Sequence, residues 1–190
     1  MDAKGARGPS FRRGPGFTAI ELMVVVAVVA LLAAMAVPAF QDLLAKRRVK
    51  GAAEEIHGLL LQARHEVPLR ERDVTAVFAD SADPWCVGLT LAATCDCGIQ
   101  DPTDPDACTL PVAGTPVLQV LQGDEFPGVA LESTFTADHT TFRHPRLTAN
   151  AGSVRVTSGD FRLDVVVSPQ GRIRICNPND NAMPGYLPCN

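Results

Sequence analysis

The chain has 190 residues with 17 Lys and Arg, 21 Asp and Glu, and a formal net charge of −4. That balance excludes a protein that coats nucleic acid through bulk charge, so any contact with a polyanion has to be local. Enzymatic chemistry is excluded on motifs. His57, His65, His139 and His144 stand in no arrangement with a Ser or Cys nucleophile, and there is neither a phosphate-binding glycine loop nor a zinc-peptidase helix. No catalysis and no cofactor are expected.

Residues 1–16 are rich in Gly, Arg and Pro and read as a leader outside the fold. From Leu22 to Phe40 no residue is charged, and a run of about 20 apolar residues crosses a bilayer as a helix. Lys4, Arg7, Arg12 and Arg13 against Asp2 hold the N-terminus on the cytoplasmic side, which puts the remainder outside. Ala-x-Ala patterns around Ala33 to Ala39 also suit a cleaved secretory signal. Against that stand an apolar run that begins directly after Gly16-Phe17 and an acidic residue, Glu21, near its start. A carboxylate in hydrocarbon is costly and marks a functional position that wants a cationic partner. Pro38 removes one helical hydrogen bond and predicts a kink.

The stretch Gly16-Phe17-Thr18-Ala19-Ile20-Glu21-Leu22 resembles the signature of type IV pilins and pseudopilins. The resemblance implies that a prepilin peptidase cuts between Gly16 and Phe17 and that Phe17 becomes the N-methylated first residue. It also implies that Glu21 neutralises the N-terminal amine of a neighbouring subunit as apolar helices pack into a filament, and that the helix opens near Pro38 there. After such a cut 13 basic residues face 20 acidic ones, a net charge of −7.

Beyond the membrane, Val49, Ala52, Ala53, Ile56, Leu59, Leu60 and Ala63 recur at spacings of three and four and predict an amphipathic helix. Lys46, Arg47, Arg48 and Lys50 open it with a charge run that suits lipid head groups or acidic neighbouring subunits. Pro68 predicts its end near Glu66 or Val67. The expected helix is therefore 17–67, with about 17–40 in the membrane or filament core. Its segment Leu59 to Glu66, Leu-Leu-Leu-Gln-Ala-Arg-His-Glu, is similar to the Leu-Leu-x-Ala-Arg-Ser-Glu-Ala run of the GspH/FimT family of minor pilins, with His65 in place of the usual Ser.

Residues 68–190 read as one β-rich domain. Val74 to Ala79, Trp85 to Leu91, Val117 to Leu121, Val129 to Phe135, Val154 to Thr157, Phe161 to Val167 and Arg172 to Cys176 are the predicted strands. The fold class is α+β, a long N-terminal helix packed on an antiparallel sheet. Six cysteines in an exported domain predict disulfides. Cys176 and Cys189 bracket a Pro/Asn/Gly-rich tail, and a link between them resembles the C-terminal disulfide loop of type IV pilins. Cys86, Cys95, Cys97 and Cys108 leave three pairings open, of which Cys86–Cys95 with Cys97–Cys108 is the expectation. Their spacing is not a zinc pattern, and the loop Asp101 to Asp106 matches a calcium loop poorly. No metal is expected.

Charge is unevenly spread. Asp73 to Asp138 holds eleven acidic residues and no Lys or Arg, whereas the last third holds Arg143, Arg146, Arg155, Arg162, Arg172 and Arg174 against three Asp. Ser168-Pro169-Gln170-Gly171 predicts a turn between two strands. After it, alternation sets Arg172 and Arg174 on one face and Ile173 and Ile175 on the core side. Two strand residues span about 6.6 Å, near the about 7 Å between successive phosphates of an extended strand. The spacing permits a grip on one backbone, and it equally suits two solvated arginines holding an Asp such as Asp164.

The segment Gly171-Arg172-Ile173-Arg174 resembles the C-terminal Gly-Arg-x-Arg motif of FimT-type minor pilins, which bind DNA for uptake in natural transformation. It implies non-specific double-stranded DNA contact at Arg172 and Arg174. Arg143, Arg146, Arg155 and Arg162 are weaker additions, some of which alternation would place on the same exposed face. The expected protein is a minor pilin that spans the inner membrane once, carries its globular domain in the periplasm, and joins other major and minor pilins in a surface pilus. A structural minor pilin or type II secretion pseudopilin that primes assembly without DNA is the alternative.

Overall fold

The computed structural model describes residues 17–81, 83–178 and 183–189, without the side chains of 37–39. The chain divides into two compact units, residues 1–40 and 41–190. Helix α1 (Ala19–Arg70) contributes residues to both.

The first unit is the apolar part of α1. An 18-residue window within α1 reaches a mean hydropathy of 2.8 with none of it buried in the chain. Leu22, Met23, Leu31, Leu32 and Met35 are all more than 60% exposed. So much apolar surface on one helix is stable only in lipid or against other chains.

In the second unit the amphipathic stripe does what its spacing predicts. Val49, Ala52, Ala53, Ile56, Leu60, Ala63 and Val67 are completely buried and join one continuous core with the strands. Burying each of the larger ones contributes about 1.5–3 kcal/mol. The helix passes Pro38 and Pro68 without a break, so the end expected at Glu66 or Val67 is corrected to Arg70. The last turn survives its missing N–H because it is tied down elsewhere. Arg70 Nε donates to Glu66 Oε2 at 2.7 Å and Arg70 Nη1 to the Pro111 carbonyl at 2.8 Å. Glu71, in the left-handed region at φ 51°, then turns the chain out.

Ten strands follow among the described residues: β1 (Val74–Ala79), β2 (Cys86–Thr90), β3 (Thr109–Val112), β4 (Thr115–Leu118), β5 (Val120–Gln122), β6 (Ala130–Ser133), β7 (His139–Phe142), β8 (Gly152–Ser158), β9 (Phe161–Val167) and β10 (Ile173–Cys176). They form two antiparallel four-stranded sheets, β5-β2-β1-β7 and β10-β9-β8-β6, and a separate β3-β4 hairpin. The expected single run from Val117 to Leu121 divides at Gln119. Its N–H bonds the Cys108 carbonyl at 2.9 Å, its carbonyl accepts from Leu89 at 2.9 Å, and its side chain accepts from Gln62 at 2.6 Å. The strand thereby changes partner from β3 to β2.

Disulfides link Cys86 to Cys97, Cys95 to Cys108 and Cys176 to Cys189. The C-terminal link is as expected, while the two central pairs interleave, which corrects Cys86–Cys95 and Cys97–Cys108. The missing side chain at Gly88 leaves room for both links. Cys97 and Cys108 lie over β2 where a side chain at Gly88 would stand, with Cys108 Cβ 2.6 Å and Cys97 Cβ 3.1 Å from that position. Cys97 reaches Cys86 on that strand, and Cys95 closes onto Cys108. All six cysteines are spent in these links. The C-terminal loop straps back onto the helix: Met183 is buried in the core, and Tyr186 Oη donates to Glu54 Oε1 at 2.8 Å.

Candidate nucleic-acid interface

The β9–β10 hairpin turns through Ser168 to Gly171. Gly171 N–H donates to the Ser168 carbonyl at 2.8 Å, Ser168 N–H to the Arg172 carbonyl at 2.9 Å, and Arg172 N–H to Ser168 Oγ at 3.1 Å. Gly171 holds φ 68°, a conformation that other residues avoid. A side chain there would also strike the Leu147 carbonyl, whose carbon lies 3.3 Å from the Cβ position.

Past the turn, Ile173 pairs with Val167, Arg174 with Val166 and Ile175 with Val165. Val165 and Val167 are buried, Ile173 and Ile175 pack against the core, and Arg172 and Arg174 are exposed. Alternation therefore acts as read from the sequence. Val166, Ser168, Gln170, Arg172, Ile173 and Arg174 line a concavity of ≈ 550 Å³.

Register extends this outward face across the sheet. Asp164 pairs with Cys176 on one side and with Arg155 on the other, and Arg155 pairs with Glu132. Directly opposed residues share a face, so Arg155 and Arg162 lie on the same face as Arg172 and Arg174. Their charge is already committed. Arg155 Nη1 lies 2.9 Å from Glu132 Oε2, and Arg155 Nε and Arg162 Nε lie 3.5 and 3.4 Å from Asp164 Oδ1. Asp164, at 7% exposure, is thus a partner of these two.

Arg143 and Arg146 come from the β7–β8 loop, and both are exposed. Arg143 N–H bonds the Thr148 carbonyl at 2.8 Å, Leu147 N–H bonds the Arg143 carbonyl at 2.8 Å, and Ala149 N–H bonds the Pro169 carbonyl at 3.0 Å. Asp73 Oδ1 accepts from His144 N–H at 2.8 Å. Two arginine-bearing loops therefore abut, through Leu147 against Gly171 and Ala149 against Pro169. No sequence signal announced that contact, because it is made by backbone atoms far apart in the chain.

At the other end, Glu21 has a local role that sequence reasoning missed. Its Oε2 accepts from Thr18 N–H at 3.2 Å and from Thr18 Oγ1–H at 3.1 Å, and Thr18 Oγ1 accepts from Glu21 N–H at 3.3 Å. This reciprocal capping box satisfies two donors at the helix start, and Thr18 followed three residues later by Glu was its signal. Phe17 is exposed. Gly16 lies outside the described residues.

A long apolar helix whose second half packs on antiparallel sheets closed by a C-terminal disulfide defines a type IV pilin-like fold. The crystal structure of the type IV minor pilin FimU from Pseudomonas aeruginosa has the same fold, with a TM-score of 0.50 and 16% identity over 68% of this chain and 88% of that one. The family model described as Type II transport protein GspH matches residues 52–171, and the chain belongs to that family. Among sequence relatives, a fimbrial protein of Pseudomonas aeruginosa is 33% identical over 81 residues, 43% of this chain and 52% of that one. A fimbrial protein of Moraxella nonliquefaciens is 50% identical over 76 residues, 40% of this chain and 46% of that one. The chain thus spans about half the length of these curated relatives.

Proposed function

We propose that this chain is a minor subunit of a type IV pilus that binds double-stranded DNA without sequence preference for uptake. A prepilin peptidase cuts between Gly16 and Phe17, Phe17 is N-methylated, and the apolar helix leaves the inner membrane to pack among other pilins. Glu21 exchanges its cap on Thr18 for the amine of a neighbouring subunit. The globular domain starts in the periplasm and ends on the pilus surface.

The observation that carries the DNA reading is the placement of the Gly-Arg-x-Arg turn. Arg172 and Arg174 stand exposed on one face of a rigid hairpin, and the loop of Arg143 and Arg146 is docked on that hairpin's turn. Arginine binds phosphate bidentately where lysine is only a point charge. Phosphate contacts carry no sequence information, as uptake of arbitrary DNA requires. Arg155 and Arg162 lie beside the site and are ion-paired with Glu132 and Asp164.

The test is fluorescence anisotropy of labelled duplexes of unrelated sequence, titrated with the full chain in detergent. Equal affinity for each duplex and at least a tenfold loss in Arg172→Gln/Arg174→Gln are expected. Undiminished binding by the double variant overturns the assignment. The acidic stretch from Asp73 to Asp138 favours a second reading, an assembly-priming pilin or a type II secretion pseudopilin that meets only other pilins. In that case wild type and variant are equally inert.

A further inference from the structure

Two features on the exposed side of the second half of α1 are unexplained by the chain's own packing. Arg64 Nε is buried and has no hydrogen-bond partner, and no ion pair among the described residues uses its guanidinium. A buried donor left unmade destabilises the chain that carries it, and a guanidinium cannot shed its charge to escape. Gly58 is the other. It lies exposed inside the helix, where glycine is weaker than alanine, yet a side chain at this position would meet nothing within 4 Å. No neighbour within the chain requires the gap.

Arg64 lines a groove that begins one helical turn after Gly58. Leu61, Gln62, Arg64, His65 and Pro68 from the helix and Leu147 from the β7–β8 loop line an apolar depression of ≈ 630 Å³. Gly58, Leu61, His65 and Pro68 recur at spacings of three and four and so share one helix face. Leu61 is 42% exposed. Leu147 is held at φ 56°, which a bulky residue adopts only when its surroundings enforce it.

We propose that this groove seats a helix of a neighbouring filament subunit, one that lays an apolar side chain over Leu61 and Leu147 and presents a carboxylate to Arg64. Charge complementarity selects the partner chemistry, because a guanidinium whose buried Nε has no partner, beside Leu61 and Leu147, is satisfied by a carboxylate flanked by apolar residues. Gly58 selects the partner shape, since a missing side chain lets another helix backbone come close. The chain's own α1 shows that a helix of this fold offers such chemistry, with Glu55 exposed one turn before Leu59. The inference rests on the filament-subunit reading above and not on DNA binding.

The experiment places a photo-crosslinking amino acid at Leu61 of the full chain in cells that assemble the filament, with a second version labelled at Val29 in the apolar span. The expected result is a Leu61 adduct with a filament subunit, mapped by mass spectrometry to a helical segment beside an Asp or Glu. Arg64→Gln lowers that adduct at least fivefold and leaves the Val29 adduct unchanged. The same substitution leaves the melting temperature of the isolated chain unchanged or raised, since it removes a buried donor without a partner rather than a contact. A Leu61 adduct that survives Arg64→Gln in full, or that maps away from any carboxylate, overturns the inference. So does the lack of a Leu61 adduct where Val29 yields one. If neither position reaches a filament subunit, the filament reading fails and takes the inference with it.

Discussion

The carbonyl of Leu147 occupies the space that a side chain on Gly171 would need. This contact fixes the turn that carries Arg172 against the loop that carries Arg143 and Arg146. Gly171→Ala meets both a steric conflict and an unfavourable φ of 68°, and a positive-φ position alone costs about 1–2 kcal/mol. Thermal unfolding of the variant should show a loss of at least about 2 kcal/mol, and duplex binding should weaken although no arginine is removed. Wild-type stability and binding in Gly171→Ala would mean that the two loops are independent.

Glu132 tests whether Arg155 is held in reserve. Its side chain is 63% exposed and pairs with Arg155 at 2.9 Å, and exposed pairs contribute about 0–1 kcal/mol. Glu132→Gln should therefore leave stability nearly unchanged while adding one uncompensated charge to the outward face. Duplex affinity should rise a few-fold at low salt, and an unchanged affinity would place the DNA path elsewhere on the sheet.

Tyr186 is the protein's one tyrosine, so its phenolate absorbance reports a single bond. Burial and its hydrogen bond to the Glu54 carboxylate push its pKa up from 10.0 to about 12. Because the folded value lies above the unfolded one, the stabilisation is complete below pH 10 and is lost as pH rises through 12. Glu54→Gln removes the negative charge, and the midpoint should fall toward 10. A midpoint unmoved by the substitution would show that the C-terminal loop does not rest on the helix.

Disulfide mapping on unreduced peptides should recover Cys86–Cys97, Cys95–Cys108 and Cys176–Cys189. Cys176→Ser/Cys189→Ser opens the strap that carries Met183 and Tyr186 and should cost about 3 kcal/mol, read as a lowered denaturant midpoint.

Local periodicity exposed the parts of this fold that are local. The stripe from Val49 to Ala63, the strands Val74–Ala79 and Phe161–Val167, and the outward aim of Arg172 and Arg174 all follow from spacings of three and four or of two. What stayed hidden depends on partners distant in sequence. Thr109–Val112 carries a proline and His139–Phe142 is short and polar at its start, so neither reads as a strand until β4 and β1 supply ladders. The division into two sheets, the interleaved cysteines over Gly88 and the passage through Pro68 are tertiary outcomes of the same kind. The commitment of Arg155 and Arg162 to Glu132 and Asp164 needed strand register, which no single strand reveals.

Arg172 and Arg174 are proposed to hold DNA by its phosphates, and the salt dependence of binding tests this most directly. Each phosphate contact contributes about 0.9 to the slope of log affinity against log salt on duplex DNA. Wild type should bind with a steep negative slope, and Arg172→Gln/Arg174→Gln should lose about 1.8 of it together with most of its affinity. A wild type that stays unbound at low salt, or a double variant with an unchanged slope, would contradict the account and leave the chain as a filament subunit without a DNA site on this hairpin.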